Sequence, residues 1–187
     1  MTVIRGKVQK YLGMTLDYNV RGQLQITMID FLEKVLTAFD KAELKGVSKK
    51  TSAAPENSFK VEEDCKKIPQ IKTKQFHNLA ANTLYATKRA RPDTCTAVSF
   101  LTTRVRAPNL DDWAKMFHMT RYIRGTRTLM LSLSANGSGI LKWWVDASLA
   151  VHPNMRGYSG GGLSLGRVFP ICEFHKTKNQ HPQLYRD

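Results

Sequence analysis

The stretch ILKWWVDASLAVHP, residues 140–153, holds the question that decides the fold. Its apolar run, Trp143-Trp144-Val145, has the aromatic and β-branched side chains that suit a strand. A single carboxylate, Asp146, follows that run. An acid among apolar groups is costly unless it is hydrogen-bonded, paired or bound to a metal. Two readings follow. Either the strand ends at Asp146 and the acid caps a turn, a common use of Asp, or Asp146 is a strand-borne metal ligand of a catalytic centre. The rest of the chain has to choose between them.

Working outward, LMLSLSA (129–135), GILKWWVDASLAVH (139–152) and GGGLSLGRVFPICEF (160–174) read as three short strands joined by Gly and Asn turns. Before them the apolar spacing is helical. A first helix runs from about Thr73 to Lys88, with Phe76, Leu79, Ala80, Thr83 and Leu84 on one side, and Pro92 ends it. Asp93 or Thr94 starts a second helix through Val98 and Leu101, stopped by Pro108. Asn109 or Asp111 caps a third, whose apolar stripe is Trp113, Met116, Phe117, Thr120 and Ile123 and whose C-terminal stop is Gly125. Residues 45–72 are polar, mixed in charge and carry Pro55 and Pro69, which reads as a linker or long surface loop. Residues 7–28 read as a hairpin turning at Asn19–Gly22. IDFLEKVLTAF follows at helical spacing, with Asp30 able to cap it. Hairpin, helices, hairpins is an α+β order in two lobes, not an alternating doubly wound sheet.

Composition limits the function. The 187 residues carry 29 Lys and Arg against 15 Asp and Glu, a net charge of +14, and the pI is near 9.9. That excess suits a polyanion, and nucleic acid is the usual one. The cysteines, Cys65, Cys95 and Cys172, are odd in number and form no CxxC pair, so a disulfide framework or zinc ribbon is not expected and a reducing compartment is. No apolar run nears the ~18 residues of a membrane span. MTVIRGKVQKYLG has no signal-peptide core and reads like the middle of a strand region, as in a fragment of something longer. The expected location is intracellular, in a cytoplasmic particle or the nucleus, without membrane or secretion.

Several constellations compete for chemistry. Asp111-Asp112 has the composition of a polymerase metal pair, but it follows Pro-Asn-Leu and opens a helix, where acids favour the positive end. Capping is the better reading. Gly160-Gly161-Gly162 with Gly166 matches neither phosphate-binding fingerprint, and close backbone contact explains it better. Cys172, His175, His181 and His152 match no zinc spacing. The basic cluster is a stronger signal. Lys88, Arg89, Arg91, Arg104, Arg106, Arg121, Arg124 and Arg127 fall at the helix ends or in the turns between them. Residues 60–130 hold 14 Lys and Arg against 6 Asp and Glu, or +8. Phosphate contacts need such charges on a firm surface, and a solvated helical face is the competing explanation.

Five strings then fall into order: YLGM (11–14), RARPD (89–93), APNLDDW (107–113), RYIRGT (121–126) and WWVDASLAVHP (143–153). Together they resemble the C-terminal part of copia-type retrotransposon polyproteins, where reverse transcriptase runs into ribonuclease H. The resemblance covers about Val8 to Gln180. It implies that 1–45 is the end of the palm with a primer-grip hairpin at Lys10, Tyr11, Leu12, Gly13 and Met14, and a first thumb helix. It implies that 46–72 is a linker, 73–127 a helical thumb and connection, and 128–187 a truncated ribonuclease H-like domain. Asp146 then corresponds to the first metal-binding acid of that domain, with Arg156, Ser159, Gly160 and Gly161 opening its second strand. Such centres hold two divalent ions between several carboxylates, so magnesium is the parent's cofactor.

The departures matter equally. No Tyr-x-Asp-Asp occurs, and after Asp146 only Glu173 and Asp187 are acidic. PICEFHKTKNQHPQLYRD diverges from the family where its second acid would come, as in a truncation or shifted reading frame. The expected partners are an RNA–DNA or DNA duplex and the remainder of the polyprotein. Alone, the chain is expected to bind nucleic acid without cleaving it and to hold no magnesium tightly. A non-catalytic basic binding module, or an inactive element remnant, is the competing class.

Overall fold

A computed structural model describes residues 5–39, 53–54, 58–135, 137–148 and 157–164, and the backbone of 171–176. The expectations placed on His152, Arg156, His181, Asp187, most of residues 46–57, and the side chains of Cys172, Glu173 and His175 lie outside them.

The fold is α+β. Three strands, β1 (Val8–Tyr11), β2 (Met14–Asp17) and β3 (Gln23–Thr27), form an antiparallel meander. Helix α1 (Ile29–Ala38) follows directly. Then come α2 (Gln70–Thr87), a 3-10 turn (Pro92–Thr94), α3 (Cys95–Thr103) and α4 (Leu110–Gly125). Strands β4 (Leu131–Ser134), β5 (Lys142–Ser148), β6 (Tyr158–Ser164) and β7 (Ile171–Lys176) complete the described elements.

Residues 7–28 therefore hold two turns rather than one. The first joins Tyr11 to its partner Met14 through Leu12 and Gly13 alone. Both have positive φ, 50° and 78°, as a two-residue hairpin of matching twist requires. Leu131–Ser134, grouped by sequence with the strands that follow it, instead pairs with β3, giving one sheet in the order β1-β2-β3-β4. Leu24 meets Leu133 and Ile26 meets Leu131 across that pairing. A second sheet has the order β5-β6-β7.

The helices pack through Leu32, Phe76, Phe100, Leu101, Met116 and Met119, all buried. Cys95, Ala97, Val98, Phe100 and Leu101 leave α3 apolar nearly all round, so it occupies the centre. On α4 the expected Met116, Thr120 and Ile123 are buried, and so are Met119 and Tyr122, which the spacing missed. Trp113 and Phe117 are only partly buried at the margin of the core. There Trp113 stacks on Phe39 at 5.6 Å and carries the Lys72 ammonium 4.9 Å above its ring. Asp30 does not cap α1, whose N-cap is Met28 without a side-chain bond. It pairs with Lys10 of β1 at 2.9 Å instead. The second half of the expected linker is tied down: Ile68 is buried, Lys67 bridges Asn109, and α2 already begins at Gln70. No helix among the described residues is long and apolar enough to cross a membrane.

Tyr158 links the second sheet to the helices. Its ring lies 6.0 Å from Phe59, which in turn meets Phe100 of α3 edge-on at 5.8 Å. Burial pushes the Tyr158 hydroxyl up to about 12 from its ordinary 10.0. Tyr122 is also raised, first by burial and then by its hydrogen bond to Asp93. The unfolded chain loses these protons first as pH rises, so their contribution is complete below pH ~10 and declines above it. Denaturant titrations should therefore show stability falling steadily between pH ~10 and ~12, with Tyr158→Phe flattening the decline.

Candidate nucleic-acid interface

The Leu12–Gly13 turn is built tightly and left exposed. Leu12 is the one non-glycine residue with positive φ among those described. A bulky side chain rarely adopts that region, at a cost of about 1–2 kcal/mol. The Tyr85 hydroxyl of α2 holds the turn by donating to the Leu12 carbonyl at 2.9 Å. The Tyr85 ring is fixed on one side by Phe31, 5.1 Å away. The Arg89 guanidinium lies over the same ring at 3.5 Å and donates to the Tyr85 carbonyl. Lys10, Tyr11, Leu12, Gly13, Met14, Thr15, Asp30, Phe31 and Lys34 line a cleft beside this turn. Lys10 holds the Asp30 carboxyl below its usual range by direct hydrogen bonding, with a smaller contribution from Lys34. The five residues of the primer-grip-like string thus share one cleft with Lys34, and Arg89 joins them through Tyr85. Lys34 and Tyr85 were missed from sequence. Lys34 lies four residues after Asp30 on α1, a readable helical signal, whereas Tyr85 carried none.

The eight basic candidates separate by environment. Lys88 and Arg106 are exposed in turns, and Arg89 is stacked as described. Arg121 lies with its guanidinium 5.7 Å from the Phe117 ring, and Arg124 occupies the last turn of α4. Arg127 pairs with Glu33 at 3.6 Å, beside Lys34 on α1. Arg104 is committed to the buried Asp112 carboxylate at 3.0 Å.

Arg91 must be withdrawn from the phosphate-contact set, because only 2% of its surface is exposed. Its Nε and Nη2 clamp Asp93, with Nη2 to Oδ2 at 2.7 Å, while Nη1 and Nη2 donate to the Thr126 carbonyl and hydroxyl. Tyr122 donates to the same Asp93 carboxylate at 2.9 Å. A fork of planar donors suits this bidentate use. RARPD and RYIRGT are therefore welded together. APNLDDW is structural too: Asn109 caps α4, Asp112 returns the bond in a capping box, and Asn109 Nδ2 reaches the Glu62 carbonyl. Asp111 pairs with Lys115 one turn on. The acid pair is a helix start.

Asp146 does not end its strand. β5 continues to Ser148, and Asp146 stands opposite Gly160 in mid-strand. The turn-cap reading therefore fails. The carboxylate is exposed and accepts the amide of Ala147 at 2.9 Å. The register sets Glu173 opposite Gly161, one step out of phase with Asp146 and Gly160. Among the described residues no three His, Cys, Asp or Glu gather as a metal site. One carboxylate does not make a two-ion centre, so the described residues do not fit the magnesium pair that the resemblance implies. A Cβ on Gly161 would meet the Trp143 ring at 3.5 Å, an ordinary contact, so packing does not require glycine there.

The chain is similar to a retrotransposon protein. It is 22% identical over 176 residues to a Saccharomyces cerevisiae protein described as a transposon Ty5-1 protein, an alignment covering 89% of this chain and 52% of that one. The chain thus spans about half the length of the curated relative it matches. No family model matches, and no solved structure matches.

Proposed function

We propose that the chain is the C-terminal part of a copia-type reverse transcriptase running into ribonuclease H-like strands, and that its own activity is sequence-tolerant binding of a nucleic-acid duplex. The observation that carries the binding is the strained Leu12–Gly13 turn, held by Tyr85 and flanked by Lys10, Lys34 and Arg89. Stored backbone strain at an exposed turn points to function when surrounding contacts hold it in place. A cleft of cations against a rigid turn fits a phosphate backbone, which positions a duplex without reading its bases. Similarity to the transposon protein supports the same reading. Catalysis belongs to the longer parent with its magnesium ions.

Duplex affinity should fall linearly with rising salt on logarithmic axes, because each phosphate contact releases counterions. Lys10→Ala, Lys34→Ala and Arg89→Ala should each lower the slope by about 0.9, and replacing Arg121, Arg124 and Arg127 together should lower it further. Fluorescence anisotropy on RNA–DNA and DNA duplexes checks this. Binding that ignores all of these changes, or is absent at low salt, would overturn the proposal.

A further inference from the structure

The Leu12–Gly13 turn places a strained leucine outside the core. Both residues have positive φ, a region that suits Gly, Asn or Asp and not a bulky side chain. Gly13 is the seated half of the turn: a Cβ built on it would touch Met28 and Phe31 at 3.6 Å. Leu12 is the projecting half, 52% exposed, and Tyr11 before it is 61% exposed. Glycine at position 12 would make the same turn without the strain. A half-exposed leucine adds little burial in return, so its side chain serves the surface rather than the core. The turn beneath it is braced. Tyr85 donates to the Leu12 carbonyl at 2.9 Å, and Phe31 and Arg89 hold the Tyr85 ring. Lys10 and Lys34 line the same cleft as Leu12.

We propose that Leu12 is a wedge that parts stacked bases, so that the cleft takes duplexes with a mispaired step in preference to continuous ones. The inference rests on the nucleic-acid reading of this cleft and adds a specificity to it. Cations around the turn engage phosphates and fix the position of the duplex. A rigid apolar tip between them can then enter a base step from the minor groove, where apolar side chains partly unstack the bases they separate. Unstacking costs least where a base is already mispaired. The same contact is therefore reached more cheaply at a mismatch. The preference follows the state of the stack and not its sequence, because an apolar side chain neither donates to nor accepts from base edges.

Anisotropy of the whole chain on two blunt DNA duplexes of equal length tests this, one continuous and one with a single central mismatch, each over a salt series. Wild type should bind the mismatched duplex about tenfold more tightly. Leu12→Gly should abolish that preference yet keep the salt slope, since no phosphate contact is touched. It should melt no lower than wild type, because glycine relieves the strain. Leu12→Met keeps an unbranched apolar tip and should keep the preference. A 2-aminopurine beside the mismatch should brighten on binding wild type or Leu12→Met, as its stacking is lost, and not on binding Leu12→Gly. Equal affinity of wild type for the two duplexes, or a preference that Leu12→Gly retains, would overturn the wedge and leave the duplex reading standing. Loss of the salt slope together with the preference in Leu12→Gly would make position 12 a support for the cations, and would also overturn it. Binding to neither duplex at low salt would overturn both readings together.

Discussion

Arg91→Ala should lower the unfolding free energy by about 3 kcal/mol, at the lower end of the loss for a broken buried ion pair because Asp93 keeps some contact with water. Its melting temperature should fall by roughly 6–12 °C for a chain of this size. The substitution strips Asp93 of three guanidinium bonds, takes the arginine donor from the Thr126 hydroxyl, and leaves the Thr126 carbonyl with the Leu129 amide. Arg91→Lys should rescue little, since an ammonium cannot span both partners in the plane of the fork. Tyr122→Phe removes only one bond to Asp93 and should cost about 1 kcal/mol. The two losses should not add, because both residues meet the same carboxylate. The duplex-binding salt slope of folded Arg91→Ala should equal that of wild type. Thermal unfolding and anisotropy on the same samples check both expectations. A drop in slope without a drop in stability would return Arg91 to the phosphate-contact set.

Arg91 shows where sequence reading stops. Eight Lys and Arg residues at helix ends look alike in one dimension, and a basic cluster reads as a surface. Asp93, two residues on, was a local hint, but the decisive acceptor, Thr126, lies 35 residues away. Local signals did better. Helical spacing located α4, and Asn109 announced its start by the short-range chemistry of an Asx cap. The same spacing missed Met119 and Tyr122, because the helix is contacted from more than one side and a single stripe is too narrow for it. The Asn19–Gly22 turn was readable, whereas Leu12-Gly13 was not, since a leucine at positive φ breaks the rule used to find turns. The pairing of β4 with β3 joins residues more than a hundred positions apart, and alternation alone assigns a face but not a partner. The candidate cleft was half legible: its turn was named from a resemblance, but Tyr85 and Lys34 required the packing of α1 and α2.

Asp112 offers the second large effect and separates the two meanings of an adjacent acid pair. Its carboxylate is 1% exposed, accepts the Asn109 amide at 3.0 Å and receives the Arg104 Nε from the end of α3. Asp112→Ala removes half of a capping box, a charge at the positive end of α4, and the carboxylate that pairs with the half-buried Arg104 guanidinium. Loss of the cap costs about 1 kcal/mol. The uncompensated guanidinium adds about 1–2 kcal/mol, moderated because Arg104 can turn toward water. The sum is about 2–3 kcal/mol. Asp112→Asn keeps an acceptor for Asn109 but gives up the charge facing Arg104, so it should lose about half as much. Asp111→Asn should cost about 1 kcal/mol, because it takes the charge from a buried lysine that keeps an amide oxygen and the Lys60 carbonyl as acceptors. A metal-chelating pair predicts the opposite pattern: both acids mutually repelled, and either replacement neutral or stabilising without metal. Urea denaturation of the three variants, with and without magnesium, decides between these patterns. If Asp111→Asn and Asp112→Asn both stabilise the chain, and magnesium then stabilises wild type alone, the pair is a metal site and the start of α4 has been misread.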